Sequence, residues 1–179
     1  MKTFKDFLNE SPFLDSHGDK DYYNTSVRNS VLSSINKSYG GETHKISNNV
    51  YKHVTKQGDH VYHCKENDDV KEVLSVTQSD NDNVIEFMSK HNGNKQGIID
   101  LIHHALKDHG HLTTDNIHSK GAKNFWMNIH DHFPDHKIIH IDNTGSEQNA
   151  SKEYIRKHQS SIWNTNDGTT HKLRIYSKK

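Results

Sequence analysis

Between Val84 and Ile141 the chain carries most of the residues able to do chemistry. Val84 to Met88 reads as a strand with Glu86 at its centre. Gly93 and Gly97 mark the loop that follows, and an apolar-periodic helix begins near Lys95. A strand, a glycine-containing turn and a helix, in that order, present unpaired backbone N–H groups at a helix N-terminus. That arrangement is ready to hold an anion and suits phosphates.

Histidine is the other reactive type in excess, with 17 in the chain. His103, His104, His109 and His111 gather around one helix end, and His130, His132, His136 and His140 around the next segment. Two imidazoles at helical i, i+4 spacing beside a carboxylate can bind zinc, but no HExxH and no cysteine pair supports a site. Solvated helix faces are the expected reading. Free imidazole titrates near pH 6.5, so roughly ten or more positive charges would be gained between about pH 7.5 and 5.5. Cys64 lies in an apolar strand without a Cys-His-Asn pattern and is expected to be a half-buried strand residue. Phe125 and Trp126 read as core. Trp163 reads as packing or as an anchor for a partner.

The elements that must position these groups follow from periodicity. Tyr23, Val27, Val31 and Ile35 recur at i+4 and predict a helix from Asp21 to Ser38, stopped by Gly40-Gly41. The pattern then becomes strand-like, with runs at 44–56, 60–64 and 70–78 separated by polar turns, leading into 84–88. Ile98, Leu101, Ile102, Ala105 and Leu106 predict the buried stripe of a helix over Lys95 to His109, ended by Gly110. A short extended piece follows at His111 to Thr113. Ala122, Phe125, Trp126 and Ile129 predict a second helix ending near Asp131, with Pro134 beyond it. A strand is expected over Ile138 to Ile141 and another over HKLRIY, with a helical turn at Lys152 to His158. The fold class is therefore α+β: a mixed, mainly antiparallel twisted sheet flanked by helices.

Composition narrows the function. One domain is the default for 179 residues, with a short appendage. Lysine plus arginine and aspartate plus glutamate both total 23, which argues against a broad nucleic-acid face. No run reaches membrane-spanning length, and the first residues lack the apolar core of a secretory signal. A single cysteine makes no internal disulfide, which fits a reducing compartment.

The order of elements, with the loop before the Lys95 helix, resembles the GNAT N-acyltransferase superfamily over roughly residues 44–176. In that family the fourth strand parts from the fifth, the pantetheine arm of acyl-CoA lies in the gap, and the pyrophosphate binds at the start of the next helix. The family's loop reads Gln/Arg-x-x-Gly-x-Gly/Ala. Here Asn94, Gly97 and Ile99 fall on those positions, and only Gly97 matches. Ser119 and Trp126 stand where the family has Asn and Tyr in Asn-x-x-Ala-x-x-x-Tyr, with Ala122 between. The resemblance implies acetyl-CoA as cofactor, held by amides from Asn94 through Lys95, Gln96 and Gly97 to Ile98, with Met88 and Ser119 beside them. It implies Glu86 as the base, acting through water, although a solvent-facing strand residue reads equally from the residues alone. Asp115 is expected to cap the second helix.

The first ten residues, MKTFKDFLNE, place Phe4, Phe7 and Leu8 on one face of a short helix. They also resemble the capsid-targeting leader of internal head proteins of T-even-type bacteriophages. Met1-Lys2-Thr3-Phe4, Phe7-Leu8 and Leu8-Asn9-Glu10 match that pattern. The resemblance implies a phage prohead and its maturation protease as partners, with cleavage after Glu10. The expected organisation is a leader at 1–10, a linker and helix at 11–43, and a GNAT-like domain at 44–179. The protein would reside in the virion interior and later in the host cytoplasm. It would act on an unknown host target as an acyl-CoA-dependent N-acyltransferase, or bind or inhibit a host factor without catalysis.

Overall fold

The structure, a computed structural model, describes residues 33, 40–67, 69–79, 82–89, 95–114, 120–163 and 171–178. The expected leader with Leu8 and Glu10, all but one residue of the helix expected between Asp21 and Ser38, and Asn94, Asp115 and Ser119 lie outside the described residues.

The elements run β1 (Glu42–Ser47), β2 (Val50–Val54), β3 (His60–Glu66), β4 (Asp69–Ser79), β5 (Asp82–Ser89), α1 (Lys95–His109) and β6 (His111–Thr114). Then come α2 (Lys120–Met127), α3 (Ile129–His132), β7 (Ile138–Ile141), β8 (Glu147–Asn149), α4 (Lys152–Lys157), α5 (Gln159–Ile162) and β9 (Lys172–Tyr176). The class is α+β with a mixed sheet, hydrogen-bonded in the order β1-β2-β3-β4-β5-β6-β9-β7-β8. The chain divides into two compact units, residues 1–78 with 86–102 and residues 79–85 with 103–179.

In the first unit, β1, β2, β3 and β4 form an antiparallel meander. The run at 44–56, expected as one strand, is two. It reverses at Asn48-Asn49, where Asn49 takes φ 60°. Asparagine tolerates this left-handed conformation better than other side chains, so two adjacent asparagines suffice for a tight turn. The next turn is closed by Thr55: its carbonyl accepts from Gly58 N–H and its Oγ1 from Asp59 N–H, each at 3.0 Å. β1 is exposed throughout and its register slips between Lys45 and Ser47, a bulge. By contrast, Val73, Leu74, Ser75 and Val76 of β4 are consecutive and fully buried, so this strand is covered on both faces. Ile98, Leu101 and Ile102 of α1 complete this core. Each such side chain contributes about 1.5–3 kcal/mol on burial.

In the second unit, β6 pairs with β9 and β9 with β7, all antiparallel, and β8 adds to β7. β5 and β6 are parallel through Val84–Thr113 and Ile85–Thr114. Leu112, Ile138, Ile139, Leu173 and Ile175 bury one sheet layer's side chains, and Ala105, Leu106, Phe125, Trp126, Ile129, Phe133 and Ile155 supply the helical ones. Gly110, at φ 77°, donates to the Leu106 carbonyl at 2.8 Å and ends α1. The second helix is broken, in contrast to the single helix expected from its apolar face. Asn128, at φ −108° and ψ 19°, separates α2 from α3. Its side-chain amide donates to the Asn124 carbonyl at 2.8 Å, a local bond that competes with the helical ladder. α4 starts at Ser151, whose Oγ accepts from Tyr154 N–H at 3.1 Å.

Candidate functional site

The first turn of α1 contains no acidic residue of its own, but the carboxylate of Glu72 packs against it at Gly97. Its seat on the first unit is Glu72 of β4. Glu72 is 3% exposed, lies opposite Cys64 of β3, and fills the space where Gly97 lacks a side chain. Gly97 thus lets the helix start approach the sheet. Gln96 donates from Nε2 to Asp100 Oδ1 at 2.8 Å, which holds its side chain along the helix. Ile98 is buried in the core, and so is Ile99, the branched residue in the loop pattern. Met88 and Glu86 are half-buried on β5, and Glu86 Oε2 is shielded from water.

Cys64 is no nucleophile in this setting. Burial and the neighbouring Glu72 push its thiol up to about 12, so almost no thiolate exists near neutral pH. Trp126 is 2% exposed and packs edge-on against Phe125 at 5.7 Å between ring centres. It belongs to the core of the second unit, and its indole is no proton source for a leaving group.

The structure groups the histidines differently from their order in the chain. His103 meets His136 across Phe133, with the two imidazoles 5.6 Å apart. Burial, and next His103, hold His136 below the usual imidazole range. His140 bonds to His171 and to Tyr154. Among the described residues no group of three or more His, Cys, Asp or Glu is placed to hold a metal ion.

A network that sequence reasoning missed lies in the second unit. Asp82 Oδ1 accepts from Thr113 Oγ1 at 2.5 Å and from Asn83 N–H at 3.0 Å, and His111 Nε2 lies 3.3 Å away. Asp82 Oδ2 accepts from Arg174 Nη2 at 3.3 Å. Arg174 also donates from Nε to Thr113 Oγ1 at 2.9 Å and from Nη1 to Glu147 Oε1 at 3.0 Å. Burial raises the Asp82 carboxyl, but the Thr113 hydroxyl and the Arg174 guanidinium outweigh it and hold the group below the usual carboxylate range. Residues 82 and 174 are far apart in sequence, so no local pattern announced the pair.

No family model, no curated protein and no solved structure matches the chain.

Proposed function

We propose that the chain is a phage head-packaged protein whose GNAT-like domain binds acyl-CoA and transfers the acyl group to an amine. The observation that carries this reading is the passage from β5 through α1 into a parallel β6. Among the described residues, β5 and β6 pair in parallel through Val84–Thr113 and Ile85–Thr114. That strand–helix–strand order, with the loop before the Lys95 helix, is the feature on which the family resemblance rests.

The residues present fit a pyrophosphate at one point. The amides of residues 95–98 open α1, while the space beside Gly97 is taken by Glu72. Bound there, acyl-CoA would supply an activated thioester. Glu86 on β5 would take the proton from the acceptor amine, directly or through water, as the new C–N bond forms and the C–S bond breaks, and the departing coenzyme A thiolate would leave as such or take a proton from water. Met88, on the same strand, and Asn94 belong to the cofactor set that the resemblance implies. The test is thermal unfolding of the full chain with millimolar acetyl-CoA. Binding to the native state raises the midpoint, and an unchanged midpoint would overturn the cofactor assignment.

A second reading, a non-enzymatic internal virion protein that binds or inhibits a host factor, is favoured by one specific observation. The residue in the family's tyrosine position, Trp126, is committed to the core. Acetyl-CoA binding without transfer to any amine acceptor would select it. Head packaging is tested separately by mass spectrometry of purified virions. A terminus at Ser11 supports leader removal, and an intact Met1 contradicts it.

A further inference from the structure

His140 is 6% exposed on β7, yet both of its ring nitrogens are engaged. Nδ1 lies 2.9 Å from the Tyr154 hydroxyl of α4, and Nε2 lies 2.9 Å from Nδ1 of His171, the residue before β9. The two imidazoles are nearly coplanar in tilt, with 15° between planes and 5.1 Å between centres. Tyr154 is stacked in turn on His158 at 4.1 Å, and His158 Nδ1 bonds to the Tyr154 carbonyl at 2.9 Å.

Two ring nitrogens 2.9 Å apart share a single hydrogen. One ring donates and the other accepts. With no added proton, or with one, this bond survives, since an imidazolium still donates to a neutral neighbour. With two added protons, both facing nitrogens carry N–H groups and the contact becomes a clash of like charges. We propose that the His140–His171 pair is an acid-sensitive latch: it holds β7, the start of β9 and α4 together while it carries at most one added proton, and a second proton opens it.

The surroundings agree with this behaviour. Burial, and next His171, lower the affinity of His140 for a proton, and His158 acts in the same direction. Asp142, just past β7, is the acidic group that opposes them. The residues opposite His140 across the sheet, Gln148 on β8 and Leu173 on β9, carry no charge. The Tyr154 hydroxyl has its own acidity lowered and stays protonated throughout this range. Nothing in this inference depends on acyl-CoA binding.

The test uses the full chain labelled with nitrogen-15. Ring nitrogen shifts of His140 and His171 are followed from pH 8 to 4.5, together with amide exchange in β7 and β9. The expected result is two separated steps for the pair, with the lower one accompanied by faster exchange in β7 and at the start of β9. In His171→Gln, His140 would titrate in one step, and the lower exchange transition would disappear. Both rings titrating together as independent imidazoles would overturn the latch, as would unchanged exchange through the second step. The wild-type titration decides the matter even if the variant fails to fold.

Discussion

Glu72 occupies the volume that a side chain at Gly97 would need. A Cβ built on Gly97 would lie 2.7 Å from Glu72 Oε2 and 2.8 Å from its Cγ. Glu72 is itself 3% exposed, so it has little room to move aside. Gly97→Ala is therefore expected to destabilise the protein by about 1–3 kcal/mol, the usual cost of overpacking. Glu72→Ala would open the space, so the double variant should lose less than the two single losses added together. Urea unfolding of the four proteins checks this, and strict additivity would contradict the packing account.

Asp82 and Arg174 make a second long-range pair, each with less than a fifth of its side chain exposed. Replacing Asp82 by Ala removes the acceptor of the Thr113 hydroxyl and of Arg174 Nη2, while Arg174 keeps Glu147. A loss of about 1–3 kcal/mol is expected, below the 3–5 kcal/mol of a fully buried pair because water still reaches this one. The Asp82 carboxyl is held low in the folded state, so its stabilising contribution is present above the unfolded carboxylate value. It is lost as pH falls through the folded value. Asp82→Asn should flatten the acid limb of the stability curve below about pH 4. An unchanged limb would show that other carboxylates set it.

His63 governs a different window. It is 3% exposed and stacks on Tyr51 at 5.4 Å. Burial, with Lys65 adding to it, pushes the imidazole down to about 4. The unfolded chain binds this proton near pH 6.5 and the folded chain only near 4, so stability falls as pH drops between those values. The loss attributable to His63 is on the order of 3 kcal/mol, since each unit is worth about 1.36 kcal/mol. His63→Phe keeps a ring over Tyr51 and should remove most of that slope. Denaturant midpoints measured at pH 7, 6, 5 and 4 make the comparison. A variant as acid-sensitive as the parent would exclude His63 as the cause.

Glu86 bears on the proposed chemistry. If it takes the amine proton, Glu86→Gln should lower acetyl transfer by about 10²–10⁴-fold while leaving acetyl-CoA binding nearly unchanged. A loss of binding equal to the loss of turnover would instead make Glu86 a structural strand residue.

What the sequence made legible was whatever repeats locally. Ile98, Leu101, Ile102, Ala105 and Leu106 have helical spacing, Gly110 follows them, and α1 spans Lys95–His109 with all five buried. The run at 138–141 holds three isoleucines, and β7 forms there. The split at Asn48-Asn49 and the break at Asn128 were obscured because each depends on asparagine interrupting a pattern that continues on both sides. β8 was obscured for a different reason: Glu147, Gln148 and Asn149 carry no hydrophobic signal and become a strand by pairing with β7. The partners of Gly97, Asp82 and His140 are set by strand register and helix docking. A neighbour 25, 92 or 31 positions away leaves no periodic mark in the chain.

β1 stands at one end of the strand order, six residues all open to water, with Glu42, His44 and Lys45 along it and a slipped register before Ser47. A smooth, greasy border would invite another molecule to add its own strand and begin a fibre. Charged groups and a kinked ladder make that addition unfavourable. Ile46, the exposed large apolar side chain on this strand among the described residues, is thereby flanked by a charge and a slipped register.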